Sequence, residues 1–171
     1  MSTSETSKYR YLTEQYCGGC GVDIGSGGDP VVPWAISIDL PQPYGVPMGD
    51  APIHLRTLSV DLHWFGNRKL DFIYSSHLIE DFDPYGQIRL LREWDRVLKS
   101  GGHMIILAPE RGRWKAALAA GQPPNDAHKH ELAIGELTTM CQCLFEGGYE
   151  VLYDDCPDPN DYGIVFVARK R

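Results

Sequence analysis

Short apolar runs bounded by glycine and proline alternate with stretches of helical period along this chain. A run at about 20–24 (CGVDI) meets the turn Gly25-Ser26-Gly27, and a second run at about 35–40 (AISIDL) ends in Asp39 and Leu40. Runs this short between turn residues predict buried strands. The ten residues 25–34 include Pro30 and Pro33, which leaves room for about one helical turn. The following stretch carries Pro41, Pro43, Gly45, Pro47, Gly49 and Pro52 and cannot hold a helix. Strand three is predicted over about 54–60, ahead of Asp61, and strand four over Asp71 to Tyr74.

The second half reads more regularly. Asp83-Pro84 signals a helix start, a capping acid followed by proline in the first turn. Ile88, Leu91, Trp94 and Leu98 form its apolar stripe, and Ser100-Gly101-Gly102 is expected to end it in a left-handed cap. Met104 to Ala108 is continuously apolar, as a strand buried on both faces would be. A second helix carries Ile134, Leu137, Met140, Cys141 and Leu144 and stops at Gly147-Gly148. Strands six (about 150–154) and seven (about 163–168) flank a turn-rich segment beginning Cys156-Pro157-Asp158, which suits a hairpin-like return.

Alternating strands and helices predict an α/β fold with a mostly parallel sheet covered on both faces. No repeat or low-complexity linker interrupts the 171 residues, so the expectation is a single domain over 1–171. Residues 1–10 are polar and are expected to fray. Lacking the apolar core of a signal peptide, they suggest a cytoplasmic protein. No run of about 18 apolar residues occurs, so no membrane span is expected. A net charge of −7 argues against nucleic acid as a partner, because phosphate binding needs a basic face.

The turn at residues 25–27 carries the first chemistry. Glycine lets a ligand approach bare backbone, and an acid ending the next strand can accept hydrogen bonds from a ribose diol. Gly25, Ser26, Gly27 and Asp39 therefore describe an adenosine-type cofactor site. The dinucleotide pattern G-x-G-x-x-G fails, since position 30 is Pro30 and Asp39 follows Gly25 by only 14 residues. The phosphate loop G-x-x-x-x-G-K-[ST] is missing. A cofactor without phosphate fits the weak anion site, and S-adenosylmethionine is such a cofactor.

Three stretches resemble class I S-adenosylmethionine-dependent methyltransferases, most closely the small type 11 group. Asp23-Ile24-Gly25-Ser26-Gly27 resembles their first motif. Residues 70–80, LDFIYSSHLIE, are similar to their fourth strand and the loop after it. Residues 91–106, LREWDRVLKSGGHMII, resemble their passage from helix to fifth strand. The resemblance covers roughly residues 20–170. It implies a Rossmann-like seven-stranded sheet of order 3-2-1-4-5-7-6 with strand seven antiparallel. The helices around strands one to three are reduced here. The exposed sheet face would then need the proline-rich loop, or a second copy in a homodimer, to cover it. The resemblance also implies that Asp23 orders the glycine turn or reaches the methionine ammonium through water. Leu40 would pack on the adenine, Asp61 and the Leu62 amide would bind its edge, and Ser75 and Ser76 would lie beside the sulfonium.

Methyl transfer from a sulfonium is an in-line displacement with a neutral leaving group, so it rests mainly on positioning the acceptor. A hydroxyl acceptor also needs a base, and His77, just after strand four, is placed for it. His128 and His130, in NDAHKHE, could bind the acceptor or serve as base. Their i, i+2 spacing could suit a metal, but no third ligand is evident and no metal is assigned. Glu80-Asp81 stands where the family often has Glu-His. Tyr74-Ser75-Ser76-His77 lacks the Asn/Asp-Pro-Pro-Tyr/Phe motif of enzymes that methylate base amino groups. The favoured acceptor is a hydroxyl of a small molecule or sugar, with segment 111–130 as the candidate lid. The alternative is a non-catalytic S-adenosylmethionine-binding sensor or activator subunit. Five cysteines, including Cys17-x-x-Cys20 and Cys141-x-Cys143, read as reduced thiols.

Overall fold

The computed structural model describes residues 4–42 and 47–171. Seven strands form one sheet: β1 (Gly21–Ile24), β2 (Ile36–Asp39), β3 (Leu55–Arg56), β4 (Leu70–Ser76), β5 (Leu98–Pro109), β6 (Tyr149–Asp155) and β7 (Gly163–Lys170). Their order is β3-β2-β1-β4-β5-β7-β6. β1 to β5 run parallel, while β7 is antiparallel to both β5 and β6. This is the order and sense expected from the sequence. Helices α2 (Pro84–Val97) and α4 (Glu136–Leu144) pack on one face, around Trp94, Leu90, Leu91, Leu137 and Cys141. Each large apolar side chain so buried contributes about 1.5–3 kcal/mol. Helix α3 (Arg111–Ala119) follows β5.

No helix connects β1 to β2, and among the described residues none lies between β2 and β4. Pro43 and Gly45 of the proline-rich stretch lie outside the described residues. The opposite face of the sheet is nevertheless covered from within the chain. Helix α1 (Glu5–Thr13) and the segment after the glycine turn bury Tyr9, Val31, Val32 and Ala35 against Phe72, Tyr74, Ile105 and Val165. Of the tail expected to fray, residues 4–10 are instead the cap and first turns of α1, and residues 1–3 lie outside the described residues. Ser4 caps α1 by accepting from the Ser7 amide, and Tyr9, only 3% exposed, donates its phenol to Asp161.

Three boundaries depart from expectation. β3 holds only Leu55 and Arg56, because the Thr57 amide bonds to the Asp39 carbonyl and the chain then turns, with Asp61 N–H on Leu58 C=O. α2 stops at Val97 rather than at the glycines: Leu98 is already extended and pairs with Leu70 of β4. Its buried side includes Gln87 and Leu90 instead of Ile88.

Candidate functional site

The carboxyl ends of β1, β2 and β4 open on a cavity of about 510 Å³, a size suited to a small organic ligand. Gly25, Ser26, Gly27, Gly28, Asp39, Leu40, Ser76, His77 and Leu78 line it from the sheet. Residues 47–53 and Arg56 line a second side, and Ser4, Glu5 and Thr6 of the amino-terminal segment line a third. A narrow cleft beside it is lined by Ile24, Ile38, Leu40, Thr57, Ser59 and Leu78.

The glycine turn is built as its sequence suggests. Gly25, Gly27 and Gly28 have φ of +78°, +56° and +84°, conformations that side chains resist. The Gly25 amide bonds to Ile38 C=O, while Met48 N–H and Ala51 N–H donate to the Gly27 and Gly28 carbonyls. The turn and the loop beyond β2 are thereby held together. A Cβ on Gly28 would lie 2.3 Å from Gly49 O.

Asp39 sits on the cavity wall, where its Oδ2 accepts from Gly27 N–H at 3.1 Å and its Oδ1 from Leu40 N–H at 2.7 Å. A carboxylate offers about four acceptor sites, so two remain for ligand hydroxyls. Asp23 is different. It is fully buried, does not line the cavity, and accepts from Val31 N–H at 2.7 Å. Burial pushes its pKa up to about 8, with the Val31 amide opposing. It orders the chain after the turn and does not reach the ligand space directly.

The geometry places Asp61 and Leu62 off the cavity. Asp61 points outward, its side chain 51% exposed, and pairs with His63 Nδ1 at 2.7 Å. The Leu62 amide is already bonded to Glu93 Oε1, and its side chain is buried in the core. Neither lines the cavity, because the chain leaves the sheet at Thr57 and the 58–66 turn packs on α2. The apolar wall near Asp39 is formed by Leu40, Leu78 and Ile53 instead. Ser75 is buried and donates to Ile24 C=O, away from the cavity, while Ser76 lines it. The hydroxyl of Ser26 is buried and has no hydrogen-bond partner among the described residues, while that of Ser76 neighbours the Tyr74 phenol.

His77 holds a φ of +52°, a conformation that costs a side chain about 1–2 kcal/mol. Its amide donates to Leu107 C=O at 2.9 Å, which fixes that kink at the end of β4. The side chain, 19% exposed, faces Glu80 Oε1 through Nδ1 at 3.3 Å and Glu5 Oε2 through Nε2 at 3.5 Å. Tyr162 meets its ring edge-on at 6.1 Å. Burial disfavours the imidazolium, but the hydrogen bond and charge of Glu80, with the Glu5 carboxylate, outweigh burial and raise the His77 pKa; Lys8 opposes them.

His128 and His130 do not line the cavity. His128 lies behind Glu80, its Nε2 3.6 Å from Glu80 Oε1 and its Nδ1 3.5 Å from Glu131 Oε1, with its ring against Trp114. His130 contributes backbone: its amide donates to Glu80 C=O and its carbonyl accepts from Gln87 Nε2. Segment 111–130 does not close the cavity either. Arg111 pairs with Glu136, and Arg113 bonds to the Asp158 and Asp161 carbonyls. Ser4, Glu5 and Thr6 wall the cavity instead. Sequence reasoning missed these, although Ser4 as cap and Tyr9, Leu12 and Tyr16 at helical spacing were available as signals.

Comparison with known proteins agrees with this geometry. The sequence model described as a methyltransferase domain matches residues 47–106. A search of the curated proteins returned no match. A solved S-adenosylmethionine-dependent methyltransferase from Archaeoglobus fulgidus has a TM-score of 0.71 at 15% identity, covering 96% of this chain and 92% of that one. One from Thermotoga maritima gives 0.68 at 17% identity, over 97% and 92% of the two chains. The 1,6-didemethyltoxoflavin-N1-methyltransferase of Burkholderia thailandensis, solved with its acceptor and S-adenosylhomocysteine, gives 0.63 at 13% identity, over 99% and 79%. These likenesses establish the fold as that of class I S-adenosylmethionine-dependent methyltransferases. Together with the matched domain, they support S-adenosylmethionine as the cofactor.

Proposed function

We propose that this chain, a methyltransferase by fold and domain match, moves a methyl group from S-adenosylmethionine to a hydroxyl of a small molecule or sugar. One observation carries the reading: the glycine turn, Asp39 and His77 share one cavity wall at the carboxyl edge of the sheet. The residues present fit the cofactor. Gly25 and Gly27 offer bare backbone, and Asp39 has acceptor sites left for a ribose diol. Ser26 supplies a buried hydroxyl still lacking a partner among the described residues. Leu40 and Leu78 give apolar surface for a base.

When bound, S-adenosylmethionine supplies an electrophilic methyl and leaves as a neutral thioether. The protein then has two tasks. The cavity walls align the acceptor and exclude water. His77 takes the hydroxyl proton as the carbon–oxygen bond forms, a contribution of about 10²–10⁴ in rate for a positioned base. The test is labelled-methyl transfer over panels of alcohols, phenols, sugars and amines, with His77→Asn alongside. Hydroxyl acceptors should be methylated, and His77→Asn should lose about a hundredfold or more. Turnover on amines alone would refute the hydroxyl assignment, and cofactor binding without turnover would favour a sensor.

A further inference from the structure

Glu80 is a carboxylate with no accessible surface, placed directly behind the residue that faces the cavity. Its Oε1 is met from two sides by imidazole nitrogens, His77 Nδ1 at 3.3 Å and His128 Nε2 at 3.6 Å. Neither carboxylate oxygen makes a hydrogen bond of regular geometry among the described residues. Burying a carboxyl group without a paired charge or donor is costly, and the two imidazoles are the groups placed to supply one. The backbone is built around the same residue. Glu80 C=O accepts from both Lys129 N–H and His130 N–H, at 2.8 and 3.0 Å, which brings the His128 loop against it. Gln87 of α2 clamps both sides by donating to Ile79 C=O and His130 C=O.

We propose that Glu80 is a positioning residue for His77, holding its Nδ1–H so that Nε2, enclosed here against Glu5 at the cavity wall, is the nitrogen left to accept a proton. This rests on the reading of His77 as the base. In the neutral imidazole one nitrogen donates and the other accepts, and the hydrogen bond made by the first decides which. With Nδ1–H committed to Glu80, Nε2 is the atom left to take a proton. During transfer the acceptor O–H bond breaks and the oxygen–methyl bond forms. The proton goes to Nε2, the sulfur leaves with its electron pair, and the Glu80 carboxyl group stays 3.3 Å from Nδ1 of the new imidazolium. His128, its Nε2 3.6 Å from the same oxygen and its Nδ1 3.5 Å from Glu131 Oε1, packs against Glu80 on the side away from His77. Other groups face His77 too: Glu5 and Lys8 from α1, and the Tyr162 ring from the segment before β7. Glu5 lies 3.5 Å from Nε2, so an acceptor hydroxyl must take the place that its carboxylate holds here.

The test reads the imidazole itself. Long-range proton–nitrogen NMR of the full chain, with the His77 signals assigned by His77→Asn, gives tautomer and titration midpoint. Wild type should show neutral His77 as the Nδ1–H form with a midpoint above that of free histidine. Glu80→Gln should lower that midpoint by about one pH unit and mix the tautomers, and Glu80→Asp should recover part of the shift. A purely structural Glu80 would lower thermal stability but leave His77's midpoint where it was. An Nε2–H tautomer in wild type, or an unmoved midpoint in Glu80→Gln, would overturn the proposal. In the methyl-transfer assay Glu80→Gln should lower kcat about tenfold or more and move the acid limb of its pH profile downward. S-adenosylmethionine affinity by calorimetry should stay within about twofold. Failure of wild type to bind S-adenosylmethionine would refute the methyltransferase reading alone, leaving the NMR result to judge the pair.

Discussion

Arg10 of α1 donates to Asp29 across 2.6 Å, and that carboxylate also accepts from Ser4 and Ser7 hydroxyls. One acid in the loop after the glycine turn thus gathers the first two turns of the amino-terminal helix. Arg10 extends the tie to Val31 C=O and Pro30 C=O. The crossover that lacks its own helix is covered by a helix from the start of the chain, and that helix walls the cavity.

Asp29→Ala should therefore loosen α1 first. Hydrogen bonds to a charged group contribute about 1.5–3 kcal/mol, less where solvent reaches them, so a loss of about 2 kcal/mol is expected. Hydrogen exchange should show faster exchange in Glu5–Thr13 with the sheet core unchanged. Burial works against the charged Asp29, but its three side-chain donors hold the pKa below the usual carboxylate value. This stabilisation is present above the unfolded value of about 3.9 and is lost as pH falls through the folded one.

Asp23 works in the opposite sense. Its folded pKa of about 8 lies above the unfolded 3.8, so the folded chain holds an extra proton between them. Stability from this group is full below the lower value and declines as pH rises toward the upper one. His77, also raised, adds a decline that begins only near 6.5. Asp23→Asn keeps an acceptor for Val31 N–H and removes the titration. Thermal melts between pH 4 and 6 should lose most of their downward slope; an unchanged slope would place the proton elsewhere.

Two neighbouring glycines separate backbone strain from collision. Gly27→Ala meets only a left-handed φ of +56°, with Met48 side-chain atoms at an ordinary 3.6 Å, and should cost about 1–2 kcal/mol. Gly28→Ala meets φ of +84° and also the Gly49 carbonyl at 2.3 Å. It should cost roughly 3 kcal/mol or more, since backbone must move. Chemical denaturation of the two variants reads the difference, and equal losses would contradict the close approach of residues 28 and 49.

The sheet was legible because its signals are local and repeated. Val22, Ile38, Ile73 and Ile105 sit in short apolar runs cut by glycine or proline, and the first motif fixes which strand is central. The reach of β3 was not legible, because Val60 and Leu62 join the core that holds Trp94 of α2 instead of extending the sheet, while Leu58 is exposed. Trp94 Nε1 donates to Ser59 C=O, which draws that turn away from the ligand space. The same displacement carries Asp61 and Leu62 off the cavity. α1 was hidden by its polarity, since Thr6 and Thr13 are buried beside Tyr9 without looking apolar. The burial of Glu80 was not legible, because nothing local says that His77 and His128, 51 residues apart in sequence, will enclose it.

The central claim is that an S-adenosyl nucleoside lies over the glycine turn with its sugar held by Asp39. Isothermal calorimetry with S-adenosylhomocysteine, on wild type and Asp39→Ala, tests it most directly. Two charge-assisted hydrogen bonds of about 1.5–3 kcal/mol each are at stake, so wild type should bind and the variant should lose about a hundredfold or more. Binding of equal strength in both proteins, or no binding in wild type, would contradict the account.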